Sequence, residues 1–103
     1  MPATIWKFPL RAADTFAIEM PTNARLLHVG VQNEQACVWA LVDPSAPKEQ
    51  RRFRLYGTGH PIGADHPMAG DPLEGFDFVG TFQLQEGMMP LVFHLFGERK
   101  ERN

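Results

Sequence analysis

Three side chains with hydrogen-bonding or cationic heads alternate along one short stretch of this sequence: Arg52, Arg54 and Tyr56. In a β-strand, residues two apart share a face. The two guanidiniums and the phenol therefore point one way, and Phe53 and Leu55 point the other, toward a core. Two guanidiniums suit phosphate oxygens, and a phenol suits a stacked base. The stripe runs directly into Gly57-Thr58-Gly59-His60-Pro61-Ile62-Gly63-Ala64. A plain turn needs one or two glycines or prolines. A longer run lets a backbone come close to a ligand, and its N–H groups can cradle an anion. The candidate ligand site is therefore Arg52, Arg54, Tyr56, Gly57, Thr58, Gly59 and His60. It is not a P-loop, because no Gly-Lys-Ser/Thr follows and no helix is expected after it.

Other chemistry is more thinly represented. His60, Asp65 and His66 stand within seven residues, and two imidazoles with a carboxylate could ligate zinc. The spacing matches no strong metal motif and no cysteine pair accompanies it, so no metal or cofactor is expected. An imidazole is the side chain best suited to proton transfer at neutral pH, so His60 could act as a general base. The chain has one serine, Ser45, and no triad signature, so serine nucleophilic catalysis has little support. His28 and His94 stand among apolar neighbours and read as partly buried, hydrogen-bonded residues. Cys37 is the one cysteine; lying in an apolar strand, it reads as a buried, inert thiol.

The elements that position these residues are strands. Apolar residues recur with a period of two, and no long period of 3.6 is present. Thr4 to Leu10 is the first expected strand, placed at an edge by Pro9. Thr15 to Met20 is the second, followed by the turn Pro21-Thr22-Asn23. Arg25 to Gln32 and Ala36 to Asp43 form a hairpin around Asn33-Glu34-Gln35. Gln50 to Tyr56 is the fifth strand, and residues 57–76 form one long loop. Asp77 to Leu84 and Met89 to Phe96 form the last hairpin, around Gln85-Glu86-Gly87. Glu98 to Asn103 is expected to be a charged, frayed tail. The expectation is all-β: an antiparallel β-sandwich or small partly open barrel of about seven strands, one domain over residues 1–97.

Bulk properties limit the function. The 103 residues make one domain and bury roughly two thirds of their unfolded surface. With 44% hydrophobic residues the chain is not of the disordered class. A net charge of −2 gives no general attraction to nucleic acid or anionic membrane. No window carries the apolar run of a transmembrane span, and the first residues lack a signal-peptide core; the expected location is the cytoplasm. The strands Ala36–Asp43 and Met89–Phe96 are apolar on both faces. Either residues 60–76 fold back, with Ile62, Met68, Leu73 and Phe76 as cover, or a second copy covers Trp39, Leu41, Val92 and Phe96. The second alternative is a homo-oligomer.

The stretches Ile5-Trp6-Lys7-Phe8-Pro9-Leu10, Ile18-Glu19-Met20-Pro21, Trp39-Ala40-Leu41-Val42-Asp43-Pro44, Tyr56-Gly57-Thr58-Gly59-His60-Pro61-Ile62, Gly80-Thr81-Phe82-Gln83-Leu84 and Leu91-Val92-Phe93-His94-Leu95-Phe96 occur in this order. Together they resemble a family of small uncharacterised proteins common in tailed phages, prophages and their bacterial hosts. Gly63 to Glu74 departs from shorter relatives as an insertion. The resemblance brings no assigned activity and no functional residue. It implies a phage-type accessory protein, a class that counters host defence by binding. Joined to the arginine stripe and glycine run, the expectation is sequestration of a small phosphorylated or nucleotide-derived signal. The alternatives are an anti-CRISPR-like inhibitor of a host defence complex, a small hydrolase using His60, and a virion component.

Overall fold

The computed structural model describes residues 2–62 and 70–100. Seven strands follow one another: β1 (Thr4–Pro9), β2 (Thr15–Pro21), β3 (Arg25–Gln32), β4 (Gln35–Val42), β5 (Lys48–Gly57), β6 (Phe76–Glu86) and β7 (Met89–Glu98). They form a three-stranded sheet, β1-β4-β3, and a four-stranded sheet, β2-β5-β7-β6. Every pairing is antiparallel. The two sheets face each other as a thin sandwich with Cα extents of 43 × 38 × 16 Å. The all-β expectation holds, as a sandwich and not as a closed barrel. No helix is present among the described residues that could cross a membrane.

The core is what the period-two pattern dictates. Val38, Ala40 and Val42 of β4 face Phe53 and Leu55 of β5 and Leu95 of β7, all within one buried cluster. Phe53, Val38 and Leu95 are at most 1% exposed. Trp6 and Phe8 of β1 close it from the edge, as Pro9 at the end of that strand requires. Arg51 also points inward, at the end of the sandwich where β2 turns into β3. The residue is 5% exposed, and its guanidinium donates to the carbonyl oxygens of Glu98 and Ala24, each at 2.8 Å. Burying a charge is tolerated there because carbonyl acceptors replace water.

β3 and β6 are edge strands of different sheets, yet they pack side by side. Gly80 makes this possible: a Cβ there would lie 2.7 Å from Val29 Cγ1. A β-bulge between Phe78 and Gly80 bends β6 at this contact. A second bulge lies between Leu26 and His28. It turns His28 outward to an exposed position against Trp39, with ring centroids 5.9 Å apart. The expectation of a partly buried His28 is corrected by that bulge.

Several boundaries also shift. The β3–β4 loop is two residues, Asn33-Glu34, both with positive φ (52° and 65°), which is the backbone of a type I′ turn. Gly87 supplies the positive φ, 61°, in the β6–β7 connection. β7 takes in Glu98, and Arg99 and Lys100 are tied to Asp77 and to Glu49 and Glu98. The part of the expected tail up to Lys100 is therefore anchored, and residues 101–103 lie outside the described residues.

Candidate functional site

The Gly57-Thr58-Gly59-His60 run is a tight turn at the end of β5. The His60 N–H donates to the Gly57 carbonyl at 3.1 Å, and Gly59 carries φ of +87°. A positive φ at the third turn position favours glycine there. Gly57 meets a different need. Its missing Cβ would lie 3.1 Å from His60 Cε1 and Nδ1, so the imidazole sits closer over the backbone than a side chain at position 57 would let it. The Thr58 N–H donates to the Val92 carbonyl at 3.0 Å, which pins the turn to β7. Two of its N–H groups, those of Thr58 and His60, are spent inside the fold, which makes the run a positioned turn.

The turn stands between two surfaces. On its inner side the sheets part and leave a cleft of about 550 Å³. Leu10, Ala36, Leu55, Phe82, Leu84 and Phe93 supply its apolar lining. Phe82 and Phe93 stack with centroids 5.7 Å apart. Arg11, Asp14, Glu34, Gln35 and His60 supply polar groups at its rim. The rim is held by the backbone: Leu10 N–H donates to the Ala36 carbonyl, and Leu55 N–H to the Asp14 carbonyl. The Gln35 amide donates to the carbonyls of Leu10 and Ala36. Among the described residues, the side chains of Arg11, Asp14, Glu34 and His60 form no ion pair. Their charge and hydrogen-bonding capacity face water and the cleft mouth. A volume of this size, apolar within and polar at the edge, is the usual form of a small-molecule site.

On the outer side of the four-stranded sheet lie Arg52, Arg54 and Tyr56, sharing one face as their alternation requires. Each already has a partner. Arg52 grips Glu98 through Nε at 3.0 Å and Nη2 at 2.8 Å. Arg54 donates to the Pro72 carbonyl at 2.6 Å and lies 4.3 Å above the Phe76 ring. Tyr56 meets Phe96 edge-on at 6.2 Å. The seven expected site residues are thus divided by the sheet. Gly57 and His60 border the cleft, and Arg52, Arg54 and Tyr56 stand behind it.

Burial alone would push the Glu98 carboxyl up. Hydrogen bonds from the Arg52 guanidinium and backbone N–H, with Lys100 nearby, outweigh it and hold the group below its ordinary range. The hydrogen bond from Arg99 lowers Asp77 in the same way.

Thr58 and His94 form the connection that sequence reasoning missed. Thr58 Oγ1 lies 2.7 Å from His94 Nε2, and His94 Nδ1 lies 2.9 Å from Thr81 Oγ1. The pairing of Tyr56 and Thr81 with His94 across three strands puts these groups on one face; a correct register would have revealed it. The lone serine is spent elsewhere: Ser45 Oγ donates to Asp43 at 2.7 Å, which lowers that carboxyl. Among the described residues no three histidine, cysteine or acidic side chains form a metal cluster; Asp65 and His66 lie outside them. Cys37 is buried and free.

The model of a family described as a domain of unknown function, DUF7352, matches residues 1–103. No curated protein and no solved structure matches the chain.

Proposed function

This chain belongs to the DUF7352 family of uncharacterised domains, and we propose that it is a binding protein that sequesters a small ligand in the inter-sheet cleft. The observation that carries the reading is the cleft itself, about 550 Å³ with an apolar lining and Arg11 and His60 at its edge. A flat, partly apolar body enters against Phe82, Phe93 and Leu55. An anionic end meets the Arg11 guanidinium and the His60 imidazole at the mouth. A nucleotide or other phosphorylated signal has both halves: a base for the aromatic lining and phosphates for the cations. The anion is met by Arg11 and His60, because Arg52 and Arg54 are engaged on the other face of the sheet.

The biological setting in this reading is the cytoplasm of a bacterial host. The sequence stretches read above as resembling small phage and prophage proteins motivate, in this reading, an accessory factor that counters host defence by removing a signal. A second copy of the chain is the other expected partner. The test is native mass spectrometry of the chain expressed in its natural host, followed by thermal melts with a panel of mono-, di- and cyclic nucleotides. A retained small molecule, and a melting shift lost in His60→Ala and Arg11→Ala, is the expected result. Co-purification with a host protein and no small-molecule shift would replace this reading with direct protein inhibition. Conversion of the nucleotide would replace it with hydrolysis, and recovery in purified particles with a virion role.

A further inference from the structure

Thr58, His94 and Thr81 stand in the order that general-base activation of a nucleophile requires. An exposed hydroxyl lies 2.7 Å from one imidazole nitrogen, and the other nitrogen lies 2.9 Å from a second hydroxyl. A neutral imidazole has one N–H and one lone pair. With the proton on Nδ1 and Thr81 Oγ1 accepting it, Nε2 is free to take the proton of Thr58. Nucleophile, base and orienting group within hydrogen-bond reach are the geometric signature of covalent catalysis. We propose that these three residues form an acyl-transfer site on the outer face of the four-stranded sheet, taking small carboxylic esters or thioesters with an apolar acyl group. The proposal is independent of what the cleft binds.

Three further features adjoin Thr58 in the chain or in the register. The Thr58 N–H is fixed to the Val92 carbonyl at 3.0 Å, so the side chain starts from a held backbone. Gly59 follows with φ of +87°, and its N–H donates to no group among the described residues. A free N–H on the residue after the nucleophile is a donor for the oxyanion that forms when the carbonyl is attacked. Beside them lies an aromatic surface. Tyr56 stands opposite His94 in the register, and beyond it Phe96 meets Phe78, which is 59% exposed. Of that surface the Tyr56 ring stands nearest the hydroxyl and would seat the acyl group, with Phe96 and Phe78 one register step farther along β7 from Thr58.

The step balances. Thr58 Oγ bonds to the carbonyl carbon, and its proton passes to His94 Nε2. The bond from that carbon to the leaving oxygen or sulfur breaks, and the leaving group departs with the proton from Nε2. Water then attacks the threonyl ester, gives a proton through His94 back to Thr58 Oγ, and releases the carboxylic acid. Thr81 touches no reacting atom; it is a positioning residue.

The test uses the full chain with p-nitrophenyl acetate, following nitrophenolate release and mapping the acetyl group by peptide mass spectrometry. The expected result is an acetyl group on Thr58, formed as nitrophenolate appears. His94→Gln slows acylation roughly 100-fold or more, the contribution of a positioned base. Thr58→Ser remains active and Thr58→Ala forms no adduct. Thr81→Val slows acylation and Thr81→Ser restores it, which a merely structural hydroxyl would not do. Thermal melts of each variant establish that it is folded. Acetyl found on lysines alone would overturn the proposal. So would release that persists in Thr58→Ala, which an imidazole acting by itself would produce, or an unchanged rate in folded His94→Gln.

Discussion

At the scale of single residues, the value of a position is set by what its neighbour leaves open. Gly57 is the clearest case, because the His60 imidazole lies 3.1 Å from where its Cβ would be. Gly57→Ala should push the imidazole back by a few tenths of an ångström. In titration calorimetry a nucleotide that binds the cleft should weaken, by less than in His60→Ala, while the melting temperature falls little. Affinity equal to that of the unmodified chain would place His60 outside the site. Glu98 gives a prediction in pH. Its carboxyl is lowered in the folded chain, so its contribution to stability is complete above the unfolded carboxylate range and is lost as pH falls through the folded value. The melting temperature should decline on acidification, and Glu98→Gln should flatten that decline. Alternation alone made the shared face of Arg52, Arg54 and Tyr56 legible. It carried no information about Glu98, 46 residues from Arg52, or about the Pro72 carbonyl under Arg54. Partners that distant depend on the register of the whole sheet.

At the scale of elements, strand identity was legible and irregularity was not. The strands were legible as short runs between turn residues: most alternate with the period of a half-buried sheet, whereas β4 and β7 are apolar on both faces and were set by their length and bounding turns. The bulges at Leu27 and at Val79 insert a residue without any composition signal, and they decide which side chains face out. The two-residue loop Asn33-Glu34 escaped for a related reason: Glu34 is an unusual residue to hold a positive φ. The bulge at Val79 has an energetic counterpart. Val29 is 2% exposed, its branched side chain has little rotamer freedom, and a Cβ at position 80 would lie 2.7 Å from it. Gly80→Ala should therefore cost about 1–3 kcal/mol, the range for overpacking a closed contact, read from denaturant unfolding. A loss well below that range would mean β3 and β6 separate easily, and that their contact does not define the closed side of the sandwich.

At the scale of the whole molecule, apolar surface is distributed in a way that sequence could not resolve. Trp39 and Leu41 lie on the outer face of the three-stranded sheet, and Val92 and Phe96 on the outer face of the four-stranded one. They cannot form one patch. Of the expected cover on the second face, Phe76, which the structure makes the first residue of β6, is 8% exposed beneath Arg52 and Arg54, whereas Ile62 is 39% exposed and Met68 lies outside the described residues. The first face has no such cover among the described residues. Ile5, 56% exposed, stands opposite Leu41, beside half-buried Trp39, and Leu27 at the bulge is 41% exposed. Each such side chain removed from water contributes roughly 1.5–3 kcal/mol when fully buried, which must exceed the cost of docking two bodies. A face that meets its own copy across a two-fold axis buries every residue twice. Sedimentation at micromolar concentration should therefore report a dimer. Ile5→Lys should return it to a monomer without unfolding it, because this side chain is outside the core. The unmodified chain sedimenting as a monomer even when concentrated would leave that face as ordinary surface, and the cleft would then serve one ligand per separate chain.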